Sequence, residues 1–220
     1  MPDTASGLFS KLIESYKVIA FFTTGNLVMQ LVLASTSPYR KALLERLKLQ
    51  FDCAQPEIDE KPLENEGVEQ MVVRLAEAKA RAVADEYRDA LIIGSDQSAV
   101  LNGQILSKPG NKENATRQLK AASGQRIVFQ TGLCLLNTAS GKVQTACVPF
   151  TVVFRELTER MIEQYLKKEA PYNCVGSFKS EGLGIALFER FEGDDPNALI
   201  GLPLIKLNQF LNNEGVEILA

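Results

Sequence analysis

With 220 residues, 45% of them hydrophobic and 23% charged, the chain has the apolar content of one substantial domain or two small lobes, which excludes a disordered segment. A formal net charge of −3 excludes the grip on long nucleic acid that a strongly basic face provides, while local basic clusters can still hold a single nucleotide. Histidine is absent, so there is no Ser-His-Asp triad, no Cys-His pair and no His-containing zinc site; general-base chemistry falls to a carboxylate, a lysine, a tyrosine or metal-bound water.

Residues 1–28 read as an N-terminal extension of unknown role, or as the product of an upstream start codon, with the main domain spanning 29–220. The apolar run at 18–22 is far shorter than the roughly 20 residues a membrane span needs. Glu14 and Lys17 break any signal-peptide pattern.

Leu31, Val32 and Leu33 form a short apolar strand that gives way to Ser35, Thr36, Ser37, Pro38, Tyr39, Arg40 and Lys41. Ser35 or Ser37 suits the cap of the following helix and Pro38 its first residue. Amides at that helix start, the hydroxyls and the Arg40 fork then converge on one point, as an anion site requires. An ordinary capped helix with solvated basic residues is the plainer alternative. The helix carries Leu43, Leu44 and Leu47 on its apolar side, and a strand at 51–54 precedes a proline-bounded acidic loop holding Glu57, Asp59 and Glu60.

Helical spacing continues from 68 to 87 through Val72, Leu75, Ala76, Lys79, Ala80 and Val83. Lys79 either snorkels from this mostly buried face or has a functional partner. The strand at 91–93 runs into Gly94, Ser95, Asp96 and Gln97, read as a strand end and turn that displays Asp96 as a metal ligand or base, or as a turn aspartate bonded to its own backbone. Asn102-Gly103 predicts a hairpin between 99–101 and 104–106. Pro109 extends the chain after Lys108, aiming it into a cleft or leaving it an exposed loop lysine.

A helix at 114–122 closes at Gly124, and a strand at 127–136 is interrupted at Gly132. A strand at 148–154 precedes a helix from Thr158 to Lys168, with Glu159 in its first turn and Lys167 and Lys168 in its last, as the helix dipole favours. A glycine-spaced loop at 176–184, a strand at 185–188, an acidic turn at Asp194-Asp195-Pro196 and a helix at 202–211 complete the chain. Cys53, Cys134, Cys147 and Cys174 form no C-x-x-C pair and read as reduced core thiols. The alternation of strands and helices predicts an α/β fold with a mixed sheet and two lobes around a central cleft.

Seven motifs in order, A-S-T-S-P-Y-R, P-E-I-D-E, R-L-A-E-A-K-A, G-S-D-Q, S-K-P, G-S-F-K-S-E-G and G-L-P-L, resemble the Maf-type nucleoside triphosphate pyrophosphatase family from about Met29 onward. That resemblance implies an architecture like inosine triphosphate pyrophosphatases and cleavage between the α and β phosphates with a divalent cation, Mg²⁺ or Mn²⁺. By motif, Ser35, Arg40, Glu60, Lys79, Asp96 and Lys108 fall on the positions expected to build the catalytic site, with Asp96 on the proton acceptor. Glu60 and Asp96 are then the expected metal carboxylates, and the three cations the clamp on the triphosphate. The scattered thiols fit a cytoplasmic protein, the net charge and the short apolar run speak against long nucleic acid and membrane as partners, and the resemblance implies a nucleoside triphosphate as substrate, with a homodimer among the assemblies left open.

Tyr39, Gln97 and Glu181 bear on the base. Gln97 and Glu181 are similar to the subgroup that cleaves 7-methyl-GTP, and a Glu181 carboxylate suits the N1–H and amino group of guanine better than the one donor of thymine or uracil. Tyr39 departs from the tryptophan expected there, and Lys41 from the usual arginine, which gives up bidentate phosphate geometry. Two alternatives stay open: the same chemistry on dTTP, UTP or another non-standard nucleotide, and a non-catalytic nucleotide-binding regulator of septum formation.

Overall fold

The two apolar runs at the heart of the sequence become the centre of a mixed sheet. The structure is a computed structural model that describes residues 21–24 and 27–219. The expected extension 1–28 lies outside the described residues except for 21–24, which form β1 (Phe21–Thr24), and the start of β2 (Leu27–Ala34), with which β1 pairs antiparallel. After β2 come α1 (Pro38–Glu45), β3 (Asp52–Ala54), α2 (Val68–Ala82), β4 (Ala90–Leu101) and β5 (Gln104–Leu106). Then follow α3 (Lys112–Ala122), β6 (Arg126–Asn137), β7 (Val143–Phe154), α4 (Glu159–Glu169), β8 (Phe188–Glu192), α5 (Pro196–Ile200) and α6 (Leu204–Asn212).

The sheet order is β1-β2-β4-β6-β7-β8, with β3 also on β2 and β5 also on β4. β2 is parallel to β3 and β4; every other described pairing is antiparallel. Side-chain alternation assigns the layers. Leu31, Leu33, Leu91, Ile93, Leu133 and Leu135 pack with Leu43 and Leu44 of α1 and Leu207 and Leu211 of α6. Their neighbours Val32, Ile92, Cys134 and Leu136 point to the opposite face and meet Ala76 and Ala80 of α2. A third cluster, built on Phe129, Phe150, Phe154, Leu119, Ile162 and Phe178, joins the far halves of β4, β6 and β7 to α3 and α4. The two lobes therefore share long strands, and the cleft opens where the clusters part.

Local signals hold where they are chemically specific. Ser37 caps α1 by accepting from the Arg40 N–H, with Pro38 in the first turn, and Thr158 caps α4 through Met161. Asn102 and Gly103, both at positive φ, make the expected hairpin turn.

Five expectations are corrected. Gly94-Ser95-Asp96-Gln97 is not a turn, since β4 runs unbroken through it with Asp96 opposite Gly132. Gly132 likewise does not interrupt β6. Both glycines are there for close approach: a Cβ on Gly94 would lie 2.0 Å from the Ala76 carbonyl oxygen, and one on Gly132 2.0 Å from that of Val72. The strand expected at 185–188 lies instead at Phe188–Glu192, after a 3₁₀ turn at Leu183–Leu187. The acidic turn is in fact the start of α5: buried Asp195 accepts from the N–H groups of Asn197 and of Ile205 and so ties α5 to α6. Of the four cysteines only Cys134 is a core thiol, and Cys53 is exposed.

Because α2 rests directly on the glycine backbones, Gly132→Ala should cost about 3 kcal/mol, the upper end for overpacking, through displacement of a helix rather than a side chain. Urea unfolding measures it; a wild-type midpoint would show that α2 does not sit on this strand.

Candidate active site

Helix α2 and strand β4 meet across the glycine contact, and the charged group each carries there is buried. Lys79 lies one turn beyond Ala76, and Asp96 two residues beyond Gly94, on the same face of the strand. Their side chains meet at 2.6 Å between Nζ and Oδ1, with Lys79 7% and Asp96 8% exposed. The same ammonium is 2.7 Å from Oε1 of Glu60, which reaches in from the acidic loop. In that loop Asp59 pairs with Lys61 in solvent, so Glu60 alone of the two turns inward. Lys79 is thus neither snorkelling nor free: two carboxylates share it.

Arg40 stands on the opposite wall, on α1, and donates from Nε to the Gly201 carbonyl at 2.8 Å. The single hydroxyl proton of Ser95 is shared between that same oxygen, 2.8 Å from Oγ, and the Gly132 carbonyl at 2.9 Å, which pins the start of the G-L-P-L motif against β4 and the guanidinium against the motif. Burial lowers the Arg40 pKa, while the negative charges of Asp96 and Glu60 raise it. The hydrogen bond from Lys79 is the largest influence holding the Glu60 carboxyl below its ordinary value; the charges of Lys79, Arg40 and Lys108 act in the same direction against desolvation. Ser35 Oγ accepts from the Ser37 N–H at 3.1 Å, shaping the helix start.

These groups line one cleft of about 870 Å³, together with Tyr39, Gln97 and Glu181. All nine side chains singled out from the sequence fall in it. Lys108 is exposed on its rim, so the loop-lysine and cleft-lysine alternatives are both true of it. Glu181 and Tyr39 are also on the exposed rim. Lys41, in contrast, points to solvent and approaches Glu45 at 3.9 Å. Cys174, which the sequence reading does not place at the site, lines the cavity beside Tyr39. Burial lifts its thiol pKa, against activation as a nucleophile.

Residues 30–214 match the family described as Maf-like protein. The chain belongs to the Maf family. It is 57% identical over 189 residues to a protein of Nitrosococcus oceani named 7-methyl-GTP pyrophosphatase, a match covering 86% of this chain and 95% of that one. A protein of Alcanivorax borkumensis with the same name is 56% identical over 188 residues, covering 86% and 95% of the two chains.

The donors of this Maf cleft suit a hard cation. Among the described residues no cluster of three or more Cys, Asp or Glu side chains would hold an ion unaided. Glu60 and Asp96 nevertheless offer two carboxylates around a single point of positive charge, and an ion of the Mg²⁺ type is commonly held by one or two carboxylates with substrate phosphates and water completing its shell. No described helix is long and apolar enough to cross a membrane.

Lys79→Met should move the Glu60 carboxyl titration upward toward its ordinary 4.5, as followed by carboxyl ¹³C NMR. Because the folded pKa is the depressed one, the stabilisation from this contact is complete above about 4.5 and fades as pH falls through the lower folded value. An unmoved midpoint would assign the depression to Arg40 and Lys108 instead.

Proposed function

We infer that this cleft hydrolyses 7-methyl-GTP to 7-methyl-GMP and pyrophosphate. The observation that carries the reading is the convergence of three cations and two carboxylates, from five separate segments of chain, on one cavity of nucleotide size. The two relatives bearing that name, matched over nearly their whole length, support the choice of substrate.

The triphosphate lies against Arg40, Lys79 and Lys108, which offset its charge and that of the pyrophosphate leaving group. Ser35 and the amides at the start of α1 hold a phosphate oxygen. Water adds to the α-phosphorus, its proton passes to Asp96, and the bond to the bridging oxygen breaks with its electron pair leaving on pyrophosphate. Glu60 and Asp96 would hold a divalent cation, Mg²⁺ or Mn²⁺, whose chemistry is to neutralise phosphate charge and acidify bound water. Arg40 suits its task because its planar fork matches phosphate and the Gly201 carbonyl fixes its Nε edge, leaving the other nitrogens for the ligand.

At the base, Glu181 accepts from the N1–H and amino group of the guanine ring, while Tyr39 offers a face to the cationic methylated base. Tyrosine in place of tryptophan weakens that stacking without removing it. The same reading makes this a cytoplasmic enzyme of small nucleotides.

With 7-methyl-GTP, GTP, dTTP and UTP supplied in turn under Mg²⁺ and Mn²⁺, pyrophosphate release should be fastest from 7-methyl-GTP. Asp96→Asn should lower that rate by about 10³-fold, in the range expected for loss of a general base and a metal carboxylate together. Preferred turnover of dTTP or UTP would transfer the chemistry to pyrimidine nucleotides, and tight binding with no metal-dependent release would make the protein a nucleotide-responsive regulator.

A further inference from the structure

Gln97 lines the cleft, but its amide is not free to present either end. The two hydrogens of Nε2 are shared among three acceptors: the backbone carbonyls of Ala198 at 2.7 Å and Leu199 at 3.1 Å, and Thr131 Oγ1 at 3.1 Å. Carbonyl oxygens only accept, so the amide cannot be flipped: its nitrogen belongs in the wall. Thr131 is fully buried, and its hydroxyl proton is committed to the Ala198 carbonyl at 2.9 Å, so only its lone pairs face Gln97. The Asp195 cap fixes α5, which carries both carbonyls.

The other end of the amide is open. No protein group donates to Gln97 Oε1 among the described residues, and no buried side-chain polar atom among them lacks a partner, so Oε1 is exposed where Gln97 borders the cavity.

We propose that Thr131 is a positioning residue for base selection: together with the carbonyl edge of α5 it holds Gln97 as an acceptor-only group, so the cleft takes a base that offers a hydrogen-bond donor there and rejects one that offers a carbonyl. The proposal rests on the reading of this cleft as a 7-methyl-GTP site and deepens it. Two acceptors, Gln97 Oε1 and the Glu181 carboxylate, match the N1–H and two amino hydrogens of 7-methylguanine. Pyrimidine rings carrying one N–H between two carbonyls would leave an acceptor facing an acceptor, the costly arrangement in a partly closed site.

The test compares kcat and KM for 7-methyl-GTP and 7-methyl-ITP, which lacks only the 2-amino group, in wild type, Thr131→Ser and Thr131→Val. Wild type and the serine variant should prefer 7-methyl-GTP by about tenfold or more, the factor for one hydrogen bond and an unpaired acceptor. The valine variant should lose part of that preference, the change appearing in KM rather than kcat, because a methyl group replaces one of the three acceptors around Nε2 while the Ala198 and Leu199 carbonyls stay. An unchanged preference in the valine variant, or equal loss in both variants, would overturn the proposal. Independently of turnover, the Gln97 side-chain amide protons, identified by their disappearance in Gln97→Met, should exchange slowly with water in the free wild-type protein; fast exchange would also overturn it. Slow exchange in a protein that cleaves neither methylated nucleotide would uphold the lock and overturn the substrate reading alone.

Discussion

An ammonium group buried between a helix and a sheet dictates much of this molecule. Lys79 has a single way to keep its charge in that place, which is to be shared by carboxylates, and Asp96 and Glu60 supply them from a strand and a loop. The contact is possible only because α2 lies against β4 and β6 with nothing between but glycine. Any Cβ at Gly94 or Gly132 would occupy the space of the helix backbone and lift Lys79 off Asp96. Close packing and site chemistry are thus the same constraint seen from two sides.

From that contact the rest of the cleft follows by strand alternation. Asp96 faces α2, while its neighbours Ser95 and Gln97 face the other way, toward Gly201 and α5. One short stretch of β4 therefore organises both the charged wall at Lys79 and the wall formed by Gly201 and α5. Ser95 and Arg40 share the Gly201 carbonyl, so α1, β4 and the chain between α5 and α6 are bound at one oxygen. Positive charge is spread over Arg40, Lys79 and Lys108, but of these three only Lys79 has both carboxylates as direct partners.

The parts of this legible in the sequence were those with a local chemical signature: Ser37 and Pro38 opening α1, Asn102-Gly103 turning the hairpin, Thr158 capping α4, and the apolar runs of β2 and β4. That nine particular side chains would share one cleft was legible through the order of the motifs rather than through any one of them. Among Glu57, Asp59 and Glu60, for example, nothing local says that Glu60 alone meets Lys79. Gly94 and Gly132 were misread because a glycine that ends a strand and one that admits a helix look alike in one dimension. Asp195 read as a turn because a five-residue helix has too little length to show a period. Thr131 and Cys174 carry no sequence signal at all, since their places at the site come from neighbours dozens of residues away.

The shared ammonium can be examined directly by a double-mutant cycle on unfolding free energy with Lys79→Met, Asp96→Asn and the pair. If the two groups depend on each other as described, the single changes together should exceed the double by at least about 1 kcal/mol, since each alone strands a buried partner. Additive effects would contradict the account, because Lys79 and Asp96 would then be neighbours that do not hold each other in place.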